Sequence, residues 1–457
     1  MDESQISAWL RRSRLSRLPA IRFEVPGADP ALPSRYRVGE AAAVALGLSA
    51  AAAADIHQTR GGPAQQVSSE VRAAALAITS YQHNRLDGKP VPRQPPGVPT
   101  SSIYQCGSGG WVHLQGGLPH LRQGTLDLLG CADHLSAIAE TLRHWDAGEL
   151  EEALAARGLC GARARTWDEW SQHEQGAVVT AAPLVEIVRI GDAPPKRSAR
   201  TGRPLGGIRV LDLTRILAGP VSGKTLASHG ADVLHVSTPA RPNIRNCVID
   251  TGFGKHTCEL DLNQPADAGR LRDLAHSCDI FVNGYRSGAL ESRGLGAADL
   301  AERAPGIIYV SVNCYGNDGP WRERRGWEQL AQTVTGIVLT EGDETPRLLP
   351  GAPNDYITGF MAAYGAMAAL QAQLTEGGSW WVGASLCQTA AWIQGAGNLP
   401  RPPTGVPEPL AEDCSVMDSG FGRLRYLRPS VAMSATQPYW DLPPSPLGSH
   451  GAEWSRR

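Results

Sequence analysis

The sequence predicts an α/β protein: a doubly wound parallel sheet, with a smaller α+β unit beside it. Three observations carry this. From Ile208 onward, short apolar, β-branched runs (IRVLDL, ADVLHVS, DIFVN, IIYVSVNC) alternate with helical stretches at 221–229, 266–276 and 297–303. That alternation is the signature of parallel strands joined by right-handed crossovers. Thr214, Arg215, Ser237, Asn283 and Asn313 all fall at the carboxyl ends of those runs, where a ligand crevice opens in such sheets. The chain, 457 residues and 42% hydrophobic, is long enough for several cores.

Taken in order, residues 1–38 are polar and Pro-interrupted and read as a covering segment with one helix over 6–18. Residues 39–100 begin with an Ala-rich helix, Glu40 to Ile56, ended by Arg60-Gly61-Gly62-Pro63. A second helix follows over 67–80, and then the five-proline linker LDGKPVPRQPPGVPT, where proline continues neither helix nor ladder. Residues 101–190 form the small α+β unit: a strand at 112–114, helices at 119–129, 135–156 and 164–173, and a strand at 184–189. A linker covers 191–206. The larger sheet unit spans 207–396 and closes with a helix over 356–374, a strand at 380–385 and a helix over 386–394. Residues 397–457 are a Pro-rich strap expected to add little core.

Charge and cysteine usage exclude several classes. A net charge of -2 gives no electrostatic attraction for nucleic acid. The most apolar run, 41–54, is shorter than the ~20 residues a bilayer needs. Nine cysteines without CxxC spacing are expected to be reduced thiols in a cytoplasmic protein. Twelve histidines without HxH or HExxH spacing give no reason to expect a metal.

An internal repeat is visible. GGPAQQVSSEVRAAALAI (61–78) resembles EGGSWWVGASLCQTAAWI (376–393) at an offset of 315 residues, each after an Ala-rich helix. Arg203-Pro204-Leu205-Gly206 is echoed by Ser445-Pro446-Leu447-Gly448.

The chain turns chemically around 316–359, GNDGPWRERRGWEQLAQTVTG through PGAPNDYITG, with two carboxylates at its turning points, Glu328 and Asp355. Three runs, GIRVLDLTRILAGPVSGKTLASHGADVLHVS, GKHTCELDL and DIFVNGYRSGALESRGLG, precede IIYVSVNCYGNDGP, GWEQLAQTVTG and NDYITG in the same order. Together they resemble the family III CoA-transferases of the CaiB/BaiF type, collinearly over about 207–393. Residues 101–190 (YQCGSGGWVHL, LEEALAARGL, EWSQHEQG) resemble that family's small domain, which normally follows the sheet half and here precedes it. The chain therefore resembles the back half of one copy, with 39–100 its remnant, fused to the front half of a second.

The resemblance implies a Rossmann-like sheet, an interlocked homodimer, and CoA moved from an acyl-CoA donor to a small carboxylic acid without a metal. It makes Asp355, in Asn354-Asp355-Tyr356-Ile357-Thr358-Gly359, the nucleophile, with Asn354 where the family's motif opens on Gly. A carboxylate suits the role because one side chain must form both an anhydride and a thioester. Its place at a helix N-terminus is expected to keep it ionised. Glu328 would position the thioester or a partner; Lys255 would lie along the CoA phosphates, and Arg215, Ala218, Tyr285, Ala289 and Arg325 would line the CoA. Leu217, Ser237, Thr238 and Gly284 depart from the family pattern, and Gly107–Gly110 is the weak counterpart of its glycine loop.

Other readings are set beside this one. Asp355 could be a helix N-cap. An acyl-CoA α-epimerase needs an acid/base pair, but Trp327 stands where such members carry His. Residues 218–225 (AGPVSGKT) fit a loose phosphate-cradling loop. A non-catalytic CoA-binding subunit is the remaining alternative.

Overall fold

A computed structural model describes residues 1–92, 98–196, 201–241, 243–400 and 405–455. Parts of both linkers expected from sequence, 93–97 and 197–200, lie outside the described residues, as do 401–404 and 456–457 in the strap.

The elements that carry the site are a long helix α1 (Val38–Thr59), strand β1 (Val185–Gly191), strand β2 (Arg209–Leu213), helix α2 (Ala218–Ser228), and strands β3 (Asp232–Ser237), β4 (Lys255–Glu259), β5 (Ile280–Asn283) and β6 (Ile308–Asn313). Helices α3 (Glu328–Val334) and α4 (Pro353–Glu376), strand β7 (Ser379–Ser385) and helix α5 (Leu386–Gln394) complete them. The seven strands form one sheet in the order β4-β3-β2-β5-β6-β7-β1. All neighbours are parallel except β7 with β1. The six parallel strands alone read 3-2-1-4-5-6, the dinucleotide-binding order, which places a switch point between β2 and β5.

Both faces of this sheet are covered, which explains the unbroken apolar runs. Val210, Val233, Ile280, Val282 and Val310 enter one core with α2, α4 and α1, while Leu211, Leu213, Leu234, Phe281 and Tyr309 enter another with the helices at 265–276 and 297–303. Successive strand residues thus serve opposite layers, as a period of two requires. The sequence reading missed β4, because KHTCE carries one β-branched residue and no apolar run. It also placed the strand near 184–189 with the small unit; the chain instead adds it antiparallel to β7 at the edge of the large sheet.

Helix α1 is long and apolar enough to cross a membrane by composition, but its apolar stretch is wholly buried inside the protein. It packs on α4, and Ser49 Oγ donates to the Phe360 carbonyl at 2.7 Å. The order helix, strand, helix recurs in the two halves at the offset found in sequence: α1, Val67–Ser68 and Val71–Ala77 in the first, α4, β7 and α5 in the second.

The small unit holds a three-stranded antiparallel sheet (Ile103–Gln105, Trp111–Leu114, Gly161–Arg163). The expected helix over 135–156 is two helices. Asp146 accepts from the Gly148 and Glu149 amides at 2.7 and 3.1 Å, and this cap starts a new helix where apolar periodicity alone runs on. The strap contributes more than expected: Cys414–Ser419 and Gly422–Leu427 form a hairpin whose Leu424 and Tyr426 pack with Ile249 and Phe253.

Gly359 sets the spacing of the site-bearing helices. A Cβ there would lie 2.6 Å from both the Ala218 carbonyl and Val221 Cβ. Gly359→Ala should gain about 0.5–1 kcal/mol of helix propensity but lose about 1–3 kcal/mol to overpacking. The expected outcome is a lower thermal unfolding midpoint by calorimetry; a higher one would show that α4 can move off α2 freely.

Candidate functional site

A cleft of about 310 Å³ opens at the switch point, beyond the carboxyl ends of β2, β5 and β6. Arg215, Ala218, Tyr285, Ala289, Arg325, Glu328 and Asp355 all line it. These residues are as much as 140 positions apart in the chain, and the sheet topology brings them together.

Asp355 stands in the first turn of α4, where Pro353 occupies the opening position. It is not the N-cap: Ala352 holds that place without a side-chain hydrogen bond. The Asp355 side chain lines the cleft beside the Ala218 amide, at the start of α2, which favours its charged form. Glu328 opens α3, and its carboxyl accepts from Gln332 Nε2 at 2.7 and 2.8 Å and from the Asn354 amide at 3.2 Å. The chain reaches Glu328 by passing directly over Cys314; a Cβ on Gly326 would sit 2.2 Å from Cys314 Cβ.

The two carboxyls share a water-poor environment. Burial first, and then the Glu328 carboxyl, push the Asp355 pKa well above the ordinary carboxylate range; the Ala218 amide opposes them. Burial likewise pushes Glu328 up to about 7, opposed by Gln332 and the Asn354 amide. The expectation that the helix terminus keeps Asp355 ionised is therefore corrected: desolvation and a like charge outweigh the dipole.

The cleft also carries a cationic cluster. Arg241 and Arg286 line it with Arg215 and Arg325, and neither Arg241, Arg286 nor Arg325 has a carboxylate within ion-pair distance among the described residues. Burial lowers the Arg325 pKa most, followed by repulsion from Arg286, with a smaller one from Arg241. His120, from the small unit, is held down by burial and then by Arg325, Arg241 and Arg215. A cluster of guanidiniums that repel one another is built for a polyanion.

Sequence reasoning missed Arg241, Arg286 and His120. Arg241 follows the carboxyl end of β3 and Arg286 follows Tyr285, so the strand-end rule could have found both. His120 carries no such signal, because the small unit reaches the cleft only through tertiary packing.

Lys255 is corrected. It is 3% exposed and its ammonium donates to Asp212 Oδ2 at 2.8 Å and to the Pro220 carbonyl at 2.7 Å. Asp212 is itself fully buried and also holds the Thr214 hydroxyl. Lys255 thus braces the turn from β2 into α2 from below and does not line the cleft. Its pKa is lowered, by burial first, against the pull of Asp212.

Other sequence candidates sort as follows. Residues 218–225 lie within α2, so no phosphate-cradling loop forms, and Lys224 is spent on Asp250 at 3.3 Å. Gly107–Gly110 is outside the cleft, with the Gly107 amide donating to the Leu142 and Trp145 carbonyls. Ser237 is buried and donates to the Cys258 carbonyl. Gly284 lies so near Thr214 that a Cβ would come within 3.1 Å. Leu217 lines the cleft beside Ala218. At the repeat's offset the position of Asp355 falls on Glu40, a buried carboxylate ion-paired to Arg37 at 3.2 Å.

Two outcomes follow. Lys255→Met leaves Asp212 buried and unpaired, so unfolding should cost about 3–5 kcal/mol less; weakened CoA binding at an unchanged midpoint would restore the phosphate role. The folded Glu328 pKa is raised, so its stabilising share is complete below about 4.5 and is lost as pH rises through about 7. From pH 5 to 8 the wild-type thermal midpoint should therefore fall relative to that of Glu328→Gln; parallel curves would contradict the buried, raised carboxyl.

Comparisons with known proteins give the family of the chain. The profile described as CoA-transferase family III matches residues 24–200 and 205–406. An acyl-CoA transferase of Gibberella moniliformis is 35% identical over 63% of this chain and 55% of its own length. The acetyl-coenzyme A transferase nodX of Hypoxylon pulicicidum is 30% identical over 64% and 54%. The human succinyl-CoA:glutarate CoA-transferase is 34% identical over 38% and 43%. The chain spans about half the length of the curated relatives it matches. A crystal structure of Rv3272 from M. tuberculosis superposes with a TM-score of 0.41 and 29% identity over 42% of this chain and 56% of that one. With the profile covering most of its residues, the chain belongs to CoA-transferase family III.

Proposed function

We propose that the chain transfers CoA from an acyl-CoA donor to a carboxylic acid, with Asp355 as the covalent carrier. The observation that carries this reading is the position of the Asp355 carboxyl: in the cleft, beside the Ala218 amide and a second carboxyl, with a guanidinium cluster lining the same cleft.

The chemistry balances without an external proton. The ionised Asp355 carboxylate attacks the thioester carbonyl; the C–S bond breaks and a mixed anhydride and CoA thiolate remain. The thiolate attacks the aspartyl carbonyl carbon and expels the donor acid, leaving an aspartyl-CoA thioester. The acceptor carboxylate then attacks the same carbon, and the released thiolate takes the acceptor acyl group and frees Asp355. The Ala218 amide is available to the oxyanion that develops at the aspartyl carbonyl. Arg215, Arg241, Arg286 and Arg325 would hold the phosphates, so the thiol end reaches the carboxyls. A raised pKa leaves Asp355 a more basic carboxylate once ionised, and desolvation strips it of water that would otherwise hydrolyse the anhydride.

Intact-protein mass spectrometry after incubation with a panel of acyl-CoAs and trapping with hydroxylamine tests this. An adduct confined to Asp355 and lost in Asp355→Ala is expected, forming faster as pH rises and the carboxyl ionises. CoA binding without an adduct from any donor would overturn the transfer reading in favour of a binding subunit.

A further inference from the structure

The cleft holds two buried carboxyls and a cluster of guanidiniums that form no ion pair with them, and this bears on which acid reacts. Among the described residues no lysine, arginine or histidine nitrogen lies within 4 Å of the Asp355 or Glu328 carboxylates. Glu328 is held only by the neutral Gln332 amide and a backbone N–H. Arg324 donates to the Glu151 carbonyl and to Glu152 and stacks 4.1 Å from the Trp321 ring centre, Arg322 pairs with Glu323 at 3.6 Å, and the charges acting on Arg325 are those of Arg286, Cys160 and Arg241, not of either carboxyl.

The surfaces around the carboxyls are apolar. Leu217 immediately precedes the Ala218 amide that touches Asp355, and Trp327 immediately precedes Glu328. Cys314 lies close enough to feel the Asp355 charge, and Leu386 sits beside it because the Cys387 amide donates to the Cys314 carbonyl at 2.9 Å. Cys160 lines the cleft from the small unit, its thiol pushed up to about 11 by burial. All five line the cleft.

Resting on the transfer reading above, we propose that the reacting acyl group is an apolar monocarboxylic one, and that short dicarboxylic acids are rejected because their second carboxylate would be stranded here. Beside Asp355, ionised when it attacks, and the buried Glu328 carboxyl, a further carboxylate would be repelled and would meet no counter-ion among the described residues. Its hydration shell would have to be stripped against Leu217 and Leu386, which return no hydrogen bond. An alkyl chain, by contrast, exchanges water for apolar contact.

The test is a competition between butanoyl-CoA and succinyl-CoA, which match in chain length, read as the rate of adduct formation at Asp355 and as thiol release. The butanoyl donor should react faster by about tenfold or more, a difference of the size that pocket discrimination supplies. Leu217→Arg, and separately Trp327→Arg should the first variant fail to fold, would place a guanidinium near these carboxyls and shift the ratio toward succinyl-CoA. Equal or faster reaction of succinyl-CoA with the wild-type chain overturns the monocarboxylate proposal and leaves transfer at Asp355 intact. Failure of both donors, with CoA still bound, overturns the transfer reading itself.

Discussion

The close approach of α4 to α2 at Gly359 is the contact on which the site depends. With hydrogen in place of a side chain there, the α4 backbone rests against the Ala218 carbonyl and Val221. One turn earlier on α4 lies Asp355, and its carboxyl thereby meets the Ala218 amide. The same bias toward small residues runs through α1, whose alanines let a second long helix bury against α4. Ala and Gly bring little apolar area each, but they let three helix backbones approach closely and gain dispersion contacts along their length.

Around that contact the protein keeps unlike electrostatic environments apart. Buried ion pairs, Lys255 with Asp212 below the β2–α2 turn and Arg165 with Glu151 in the small unit, have both partners present and are surrounded by further donors and acceptors. The carboxyls of Asp355 and Glu328 have no such partner among the described residues, and their burial raises both pKa values. Desolvating an unpaired carboxyl costs stability, and perturbed groups of this kind concentrate where chemistry is done. The guanidiniums of the cleft mirror the same logic with the sign reversed.

The two halves of the chain diverge at the corresponding point. Each carries a long Ala-rich helix followed by a strand and a helix. In the second half the first turn of the long helix presents Asp355 to an open cleft; in the first half the matching Glu40 is closed over, accepting from Trp9 Nε1 at 3.4 Å and paired with Arg37. A carboxylate neutralised by a guanidinium and covered by an indole is a structural group, so the repeat contributes one carboxyl open to a cleft and one that ties the N-terminal segment to the helix.

The sequence by itself determined the parallel sheet, because strands buried on both faces must be apolar throughout and their alternation with helices admits few topologies. It also located two carboxyls of the cleft, since glycines, a proline-started helix and two carboxylates at element boundaries are local features. Strand β4 escaped it, for KHTCE owes its strand state to the ladder with β3 rather than to its own composition. Tertiary structure alone decided what each charge does. Whether a lysine meets phosphate or Asp212, whether an aspartate is held ionised by a helix or driven toward neutrality by burial, and whether His120 reaches the cleft all depend on which segments, distant in the chain, exclude water together. Desolvation is a property of the assembled neighbourhood, and no single segment carries it.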